Sequence, residues 1–246
     1  MKKQTKALLT LLCAVLLVVG SVMGTLAYLT SQDSVTNTFT VGDVKIFLDE
    51  AKVNVDGEPV DANGNPVDDV ANAPRVDKNE YHLLPGHTYT KDPMVTVEAD
   101  SEESYVRMLV TFNFSKELDE IFAANGANMT DIFVGYSAEN WPLFDITEDE
   151  ATNTRTYEFR YKDTVLKSAA DQPLDPLFDA IAIPGFINND QLATLMKYDA
   201  EGKLVDQFKI NVVAHAIQAD GLDTDDEAWA AFDIQNAPVV EETPDP

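Results

Sequence analysis

SYVRMLVTFNF, residues 104–114, decides the fold class. In an extended chain Val106, Met108, Val110, Phe112 and Phe114 fall on one face, with Arg107, Thr111 and Asn113 on the other. That alternation predicts a strand with one buried side. QFKINVVAHAI (207–217) repeats it, with Phe208, Ile210, Val212, Ala214 and Ala216 opposite Gln207, Lys209, Asn211 and His215. TYEFRYK (156–162) sets Tyr157, Phe159 and Tyr161 against Glu158, Arg160 and Lys162. Weaker strand signals lie at 38–48, 92–98, 131–136 and 179–184. Strands buried on both faces in a parallel sheet would read as unbroken apolar runs, so the alternation favours antiparallel pairing. The expected architecture is mainly β: an antiparallel two-sheet, jelly-roll-like sandwich over residues 38–235, with short inserted helices.

Three segments carry helical spacing. SKELDEIFAAN (115–125) has Ser115 as its expected N-cap, Leu118, Ile121 and Phe122 on one stripe, and Gly126 past its end. INNDQLATLMKYD (187–199) and TDDEAWAAF (224–232) each start with capping residues. Residues 54–80, dense in Asp, Asn, Pro and Gly with DG and NG turn signals, predict a surface excursion. The Pro- and acid-rich end, residues 236–246, predicts a disordered tail with little to bury.

The N-terminus reads as an export signal. Lys2, Lys3 and Lys6 precede ALLTLLCAVLLVV (7–19), an apolar run about 20 Å long as a helix, shorter than a hydrocarbon core. Small residues near Ala27 predict cleavage after Ala27 or Tyr28, so that residues 1–27 form the signal peptide. The competing reading is an uncleaved anchor extended through GSVMGTLAYL. The single cysteine, Cys13, lies inside the apolar run, so the processed chain has no disulfide, thiolate or zinc-thiolate chemistry. All 43 acidic residues follow residue 27, against 14 basic ones there, a net charge of −29. Such a field opposes nucleic acid and anionic membranes and attracts cations. Contact with a membrane is expected only through the signal before cleavage.

Motifs for catalysis are absent: no HExxH, GxSxG, Walker A or GxGxxG, and three histidines in all. His82 and His87 flank LLPG, and His215 sits on the polar face of its strand; each reads as an ordinary surface histidine. DANGNPVDD (61–69) places Asp61, Asn63 and Asn65 at the first calcium-loop spacings, but Pro66 and Asn72 stand where the loop needs Gly and Glu. DGLDTDDE (220–227) reads as an acidic helix start. Trp141 and Trp229, set among apolar neighbours, are expected in the core. No enzyme activity, cofactor, catalytic residue or metal ligand is expected.

Three blocks carry a family likeness. GTLAYLT followed by NTFTVGDVKI resembles the export signal and first strand of the secreted proteins processed by the dedicated signal peptidase of biofilm operons, the family of the fibre protein TasA and of camelysin. LLPGHTYTKDPMVTVEADSEESYVRMLVTF (83–112) and INVVAHAIQADGLDTDDEAWAAF (210–232) are similar to that family's second and closing blocks, in its order, while 115–205 carries no matching block. The resemblance implies a jelly-roll sandwich exported from a Gram-positive cell, assembling into biofilm-matrix fibres by donor-strand exchange. Its expected partners are further copies of itself, the dedicated signal peptidase and an anchoring or accessory matrix protein. Camelysin-like members carry a metallopeptidase label, which no zinc-ligand motif here supports.

Processing would free residues 28–37 as a flexible leading segment. Leu29, Val35 and Phe39, spaced among Ser, Thr and Asn, suit a donor strand that adds to the sheet edge of another copy. The contact is heterologous and propagates as a filament. The alternative is a monomeric cell-surface adhesin or binding module, with 54–80 as its contact loop.

Overall fold

A computed structural model describes residues 43–236. The expected signal peptide, the 28–37 segment and residues 237–246 of the expected tail lie outside these. The strands in chain order are β1 (Ile46–Ala51), β2 (Arg75–Val76), β3 (Thr88–Thr90), β4 (Met94–Val97), β5 (Ser104–Asn113), β6 (Phe133–Val134), β7 (Leu143–Asp149), β8 (Thr154–Arg160), β9 (Gln172–Pro173), β10 (Ala180–Ala182), β11 (Met196–Tyr198), β12 (Leu204–Gln207) and β13 (Ile210–Gln218). Among the described residues three α-helices join them: α1 (Ser115–Ala124), α2 (Asn189–Thr194) and α3 (Asp225–Gln235).

The protein is mainly β and its ladders are antiparallel. One four-stranded sheet runs β13-β5-β8-β7 and another β2-β1-β4-β9; β3-β10-β6 and β11-β12 form smaller sheets. The alternation of 104–114 is realised as read: Val106, Met108, Val110 and Phe112 of β5 are buried, as is Phe114 just beyond it. Opposite them in register stand Phe159 and Tyr157 of β8 on one side and Ala214 and Val212 of β13 on the other. Val95 and Val97 of β4 join the same apolar cluster, so both four-stranded sheets supply one core. Each such side chain contributes on the order of 2 kcal/mol on burial. Trp141 is fully buried, its indole N–H donating to the Asp175 carbonyl at 2.8 Å.

Several local readings shift. Among the described residues the strand expected over 38–48 begins at Ile46 and runs to Ala51. Ser115 is the first residue of α1 rather than its cap; the cap position is Phe114, in the left-handed region at φ 58°, with its ring anchored in the core. The capping acceptor comes from elsewhere: Asn153, in the β7–β8 turn, receives Lys116 N–H at 3.0 Å and the Ser115 hydroxyl at 3.1 Å. The helix expected over 187–199 stops at Thr194, and Met196–Tyr198 turns into a hairpin with β12.

The 54–80 excursion is folded back on itself and tied down. Gly57 (φ 80°) and Gly64 (φ 87°) turn it at the DG and NG positions, where left-handed backbone favours glycine. A side chain at Gly57 would meet Tyr89 Cα at 2.6 Å. Arg75 in β2 bonds Asp49 and Asp92, and Asn79 reaches Glu50, Ala51 and Val53 at the end of β1.

Candidate assembly surface

The sequence-predicted site residues Ala27, Tyr28, Leu29, Val35 and Phe39 all fall outside the described residues. The sheet edges among the described residues are the surfaces that an added strand would meet.

The β13-β5-β8-β7 sheet ends on two very different strands. β7 has all seven residues exposed and carries Asp145, Glu148 and Asp149 along it. β13 spans nine residues, INVVAHAIQ, whose only ionisable side chain is His215. Its core-facing side chains, Ile210, Val212, Ala214 and Ala216, stay half-buried, although their register partners on β5 are sealed. Ile46 and Leu48 of β1 repeat this pattern beside the sealed Val97 and Val95. Because β2 covers only Glu50 and Ala51, β1 is itself outermost over Ile46–Asp49. β1 and β13 lie close together with no ladder between them, so both sheets are thinly covered along the same flank. A groove of ≈ 450 Å³ opens at one end of that flank, lined by Val44, Ala216, Ile217, Leu222 and Phe232 among others.

Helix α3 backs the other face of β13 and β5. Thr224 caps it, its hydroxyl accepting Glu227 N–H at 3.2 Å, and Asp225, Asp226 and Glu227 sit favourably in its first turn. Two arginines hold it down. Arg160 of β8 reaches Asp225 at 2.9 Å and Asp226 at 2.6 Å, and also bonds Glu158 on its own strand. Arg107 of β5 bonds Asp233 and places its guanidinium 4.4 Å from the Trp229 ring centre. The face carrying Arg107, expected to meet solvent, is covered here, and Arg107 is only 4% exposed.

His215 lies in the same layer, its ring stacked on Phe232 at 4.5 Å, its Nδ1 accepting from Arg107 Nε at 3.2 Å. Burial first, and then the neighbouring Arg107 charge, hold its pKa below the ordinary histidine value. It is a half-buried neutral side chain that accepts a hydrogen bond, where the alternation alone read a surface histidine.

Elsewhere the single-residue readings resolve simply. The Asp61 carboxylate is taken up by its own loop, accepting Asn63 N–H at 2.8 Å and Asn65 N–H at 2.9 Å. Among the described residues no three His, Cys, Asp or Glu side chains gather as a metal would need. No helix among them is long and apolar enough to cross a membrane. Comparison with protein families, with curated proteins and with solved structures finds no match to this chain.

Proposed function

We propose that the chain is a secreted structural subunit of extracellular biofilm-matrix fibres, a jelly-roll-like sandwich that polymerises when its processed N-terminus adds as a strand to the next copy. The observation that carries this reading is the β13 edge: nine residues long, uncharged at neutral pH, half-covered on its core side, and unpaired on its outer side among the described residues. An edge of that kind is a template for an incoming strand. The donor supplies main-chain hydrogen bonds, while Leu29, Val35 and Phe39 offer apolar side chains to the thin flank between β13 and β1. A signal peptidase controls the process, since the segment is held at the membrane until cleavage. The net charge of −29 on the processed chain opposes stacking of identical subunits, so growth rises with ionic strength or acidification.

Electron microscopy of protein beginning at Tyr28, beside protein beginning at Thr38, tests the proposal. Fibres from the longer form alone are expected. Single molecules from both, at every salt and pH, overturn it and leave a monomeric binding module.

A further inference from the structure

Where the 54–80 excursion rejoins the β1 strand, four groups converge that no assembly argument uses. Glu50, 6% exposed, holds Lys91 Nζ at 2.5 Å on one carboxylate oxygen and Asn79 Nδ2 at 3.0 Å on the other. The same Nδ2 donates to the Ala51 carbonyl at 2.8 Å, and Asn79 Oδ1 accepts Val53 N–H at 3.0 Å. The Lys91 and Glu50 side chains are 11% and 8% exposed. Tyr81 walls the pocket, its ring centre 5.9 Å from Nζ and its hydroxyl bonded to the Thr90 carbonyl.

An ion pair between Lys91 and Glu50 alone would not need a carboxamide held in this way. Here the carboxamide presents its nitrogen to the acid and its oxygen to a backbone N–H, the polarity that amide exchange requires. We propose that these residues form an intramolecular amide between Lys91 Nζ and Asn79 Cγ, with Glu50 carrying the protons.

Glu50 takes a proton from the Lys91 ammonium, and the freed amine attacks Cγ. The Val53 N–H stabilises the oxyanion on Oδ1. The Nζ–Cγ bond forms and the Cγ–Nδ2 bond breaks. Of the three ammonium protons, one stays on the new amide nitrogen. The other two pass through Glu50 to Nδ2, which leaves as ammonium, and Glu50 ends as a carboxylate. No oxidant, metal or cofactor enters, and each chain reacts once. Holding amine and carboxamide on one carboxylate supplies the proximity that an intermolecular reaction lacks. The bond would clip the segment between Asn79 and Lys91 in a chain whose only cysteine is Cys13.

Tryptic digestion of the purified full chain, read by mass spectrometry, tests this. Without the bond, trypsin releases Asn79–Lys91 and Asp92–Arg107 as separate peptides. With it, Lys91 is not cut, and a single peptide Asn79–Arg107 appears, lighter by one ammonia. That peptide is expected from the native chain and should be lost in Glu50→Gln and in Lys91→Arg, whose folding is verified by circular dichroism. Native chain giving the two separate peptides at full mass overturns the proposal. So does ammonia loss with Lys91 still cut, the signature of a succinimide at Asn79–Glu80, and so does a linked peptide that persists in Glu50→Gln.

Discussion

The two edges of the β13-β5-β8-β7 sheet solve the same problem in opposite ways. β7 is exposed along its whole length and carries Asp145, Glu148 and Asp149 on the same strand as Leu143, Phe144 and Ile146. Charges on an edge strand deter pairing with another chain. Arg155 and Arg160 complete its defence, the first bonding Glu148 at 2.7 Å, the second stacking under the Phe144 ring. β13 has no such charges; its outer face is protected by α3 and its core side is left thin. One edge is closed by charge; the other carries none and is unpaired among the described residues, as the proposed acceptor of a strand would be.

The largest effect should come from giving β13 the character of β7. Val213 is 39% exposed on that strand, away from the core, so Val213→Lys adds a charge without disturbing packing. Fibre growth from protein beginning at Tyr28 should fall to background by thioflavin-independent light scattering and microscopy, while the melting temperature changes little. Unimpaired fibres would move the acceptor away from β13. The converse change, Asp145→Thr with Glu148→Thr, removes two of the three carboxylates of β7 and leaves Asp149 at its end. Concentration-dependent association should then appear by sedimentation even in protein beginning at Thr38, since it no longer depends on the leading segment.

A second pair of measurements tests the helix that backs β13. Arg107→Met removes the ion pair with Asp233 and the stacking on Trp229, leaving Glu158 short of one cation. The expected loss is about 2 kcal/mol in urea unfolding, from the lost charge-assisted hydrogen bonds and ring stacking, since Glu158 keeps Arg160 at 2.7 Å. Asp233, 62% exposed, turns to water and adds little to that cost. Gly57→Ala, in the 54–80 excursion, is a useful gauge. A left-handed backbone and a clash with Tyr89 should together cost about 2 kcal/mol, against about 1 kcal/mol for Gly64→Ala, where space is open.

The sequence made β5, β8 and β13 legible because each packs one face against a core, and burial on one face is what a period of two records. β7 escaped notice for the same reason: LFDITED faces nothing that would select apolar residues at alternate positions, and its pairing is fixed by the turn at Asn153 instead. β11 was concealed because α2 ends at Thr194 with neither Gly nor Pro to mark the stop. At the candidate site the β13 strand could be read directly, but neither its place at the sheet edge nor the burial of Arg107 could. Its partner Asp233 lies 126 positions away, and no local pattern says which face a distant helix will cover.

The smallest effect, and the most specific to this edge, is a pH response. His215 is neutral when α3 is docked, because burial and the Arg107 guanidinium both disfavour its protonated form; Asp233 and Glu158 act in the opposite sense without reversing the outcome. With the folded pKa below the unfolded one, the unfolded chain binds more protons at mildly acid pH, so stability falls as pH drops below the ordinary histidine value of about 6.5. Protonation also removes the Nδ1 acceptor that Arg107 uses. Trp229 packs beside this pair, so its fluorescence, read in a Trp141→Phe background, should shift to the red between neutral and mildly acid pH. His215→Gln keeps an acceptor and cannot titrate, and it should flatten that transition. If the shift persists unchanged in His215→Gln, the acid response does not arise at the histidine beneath α3.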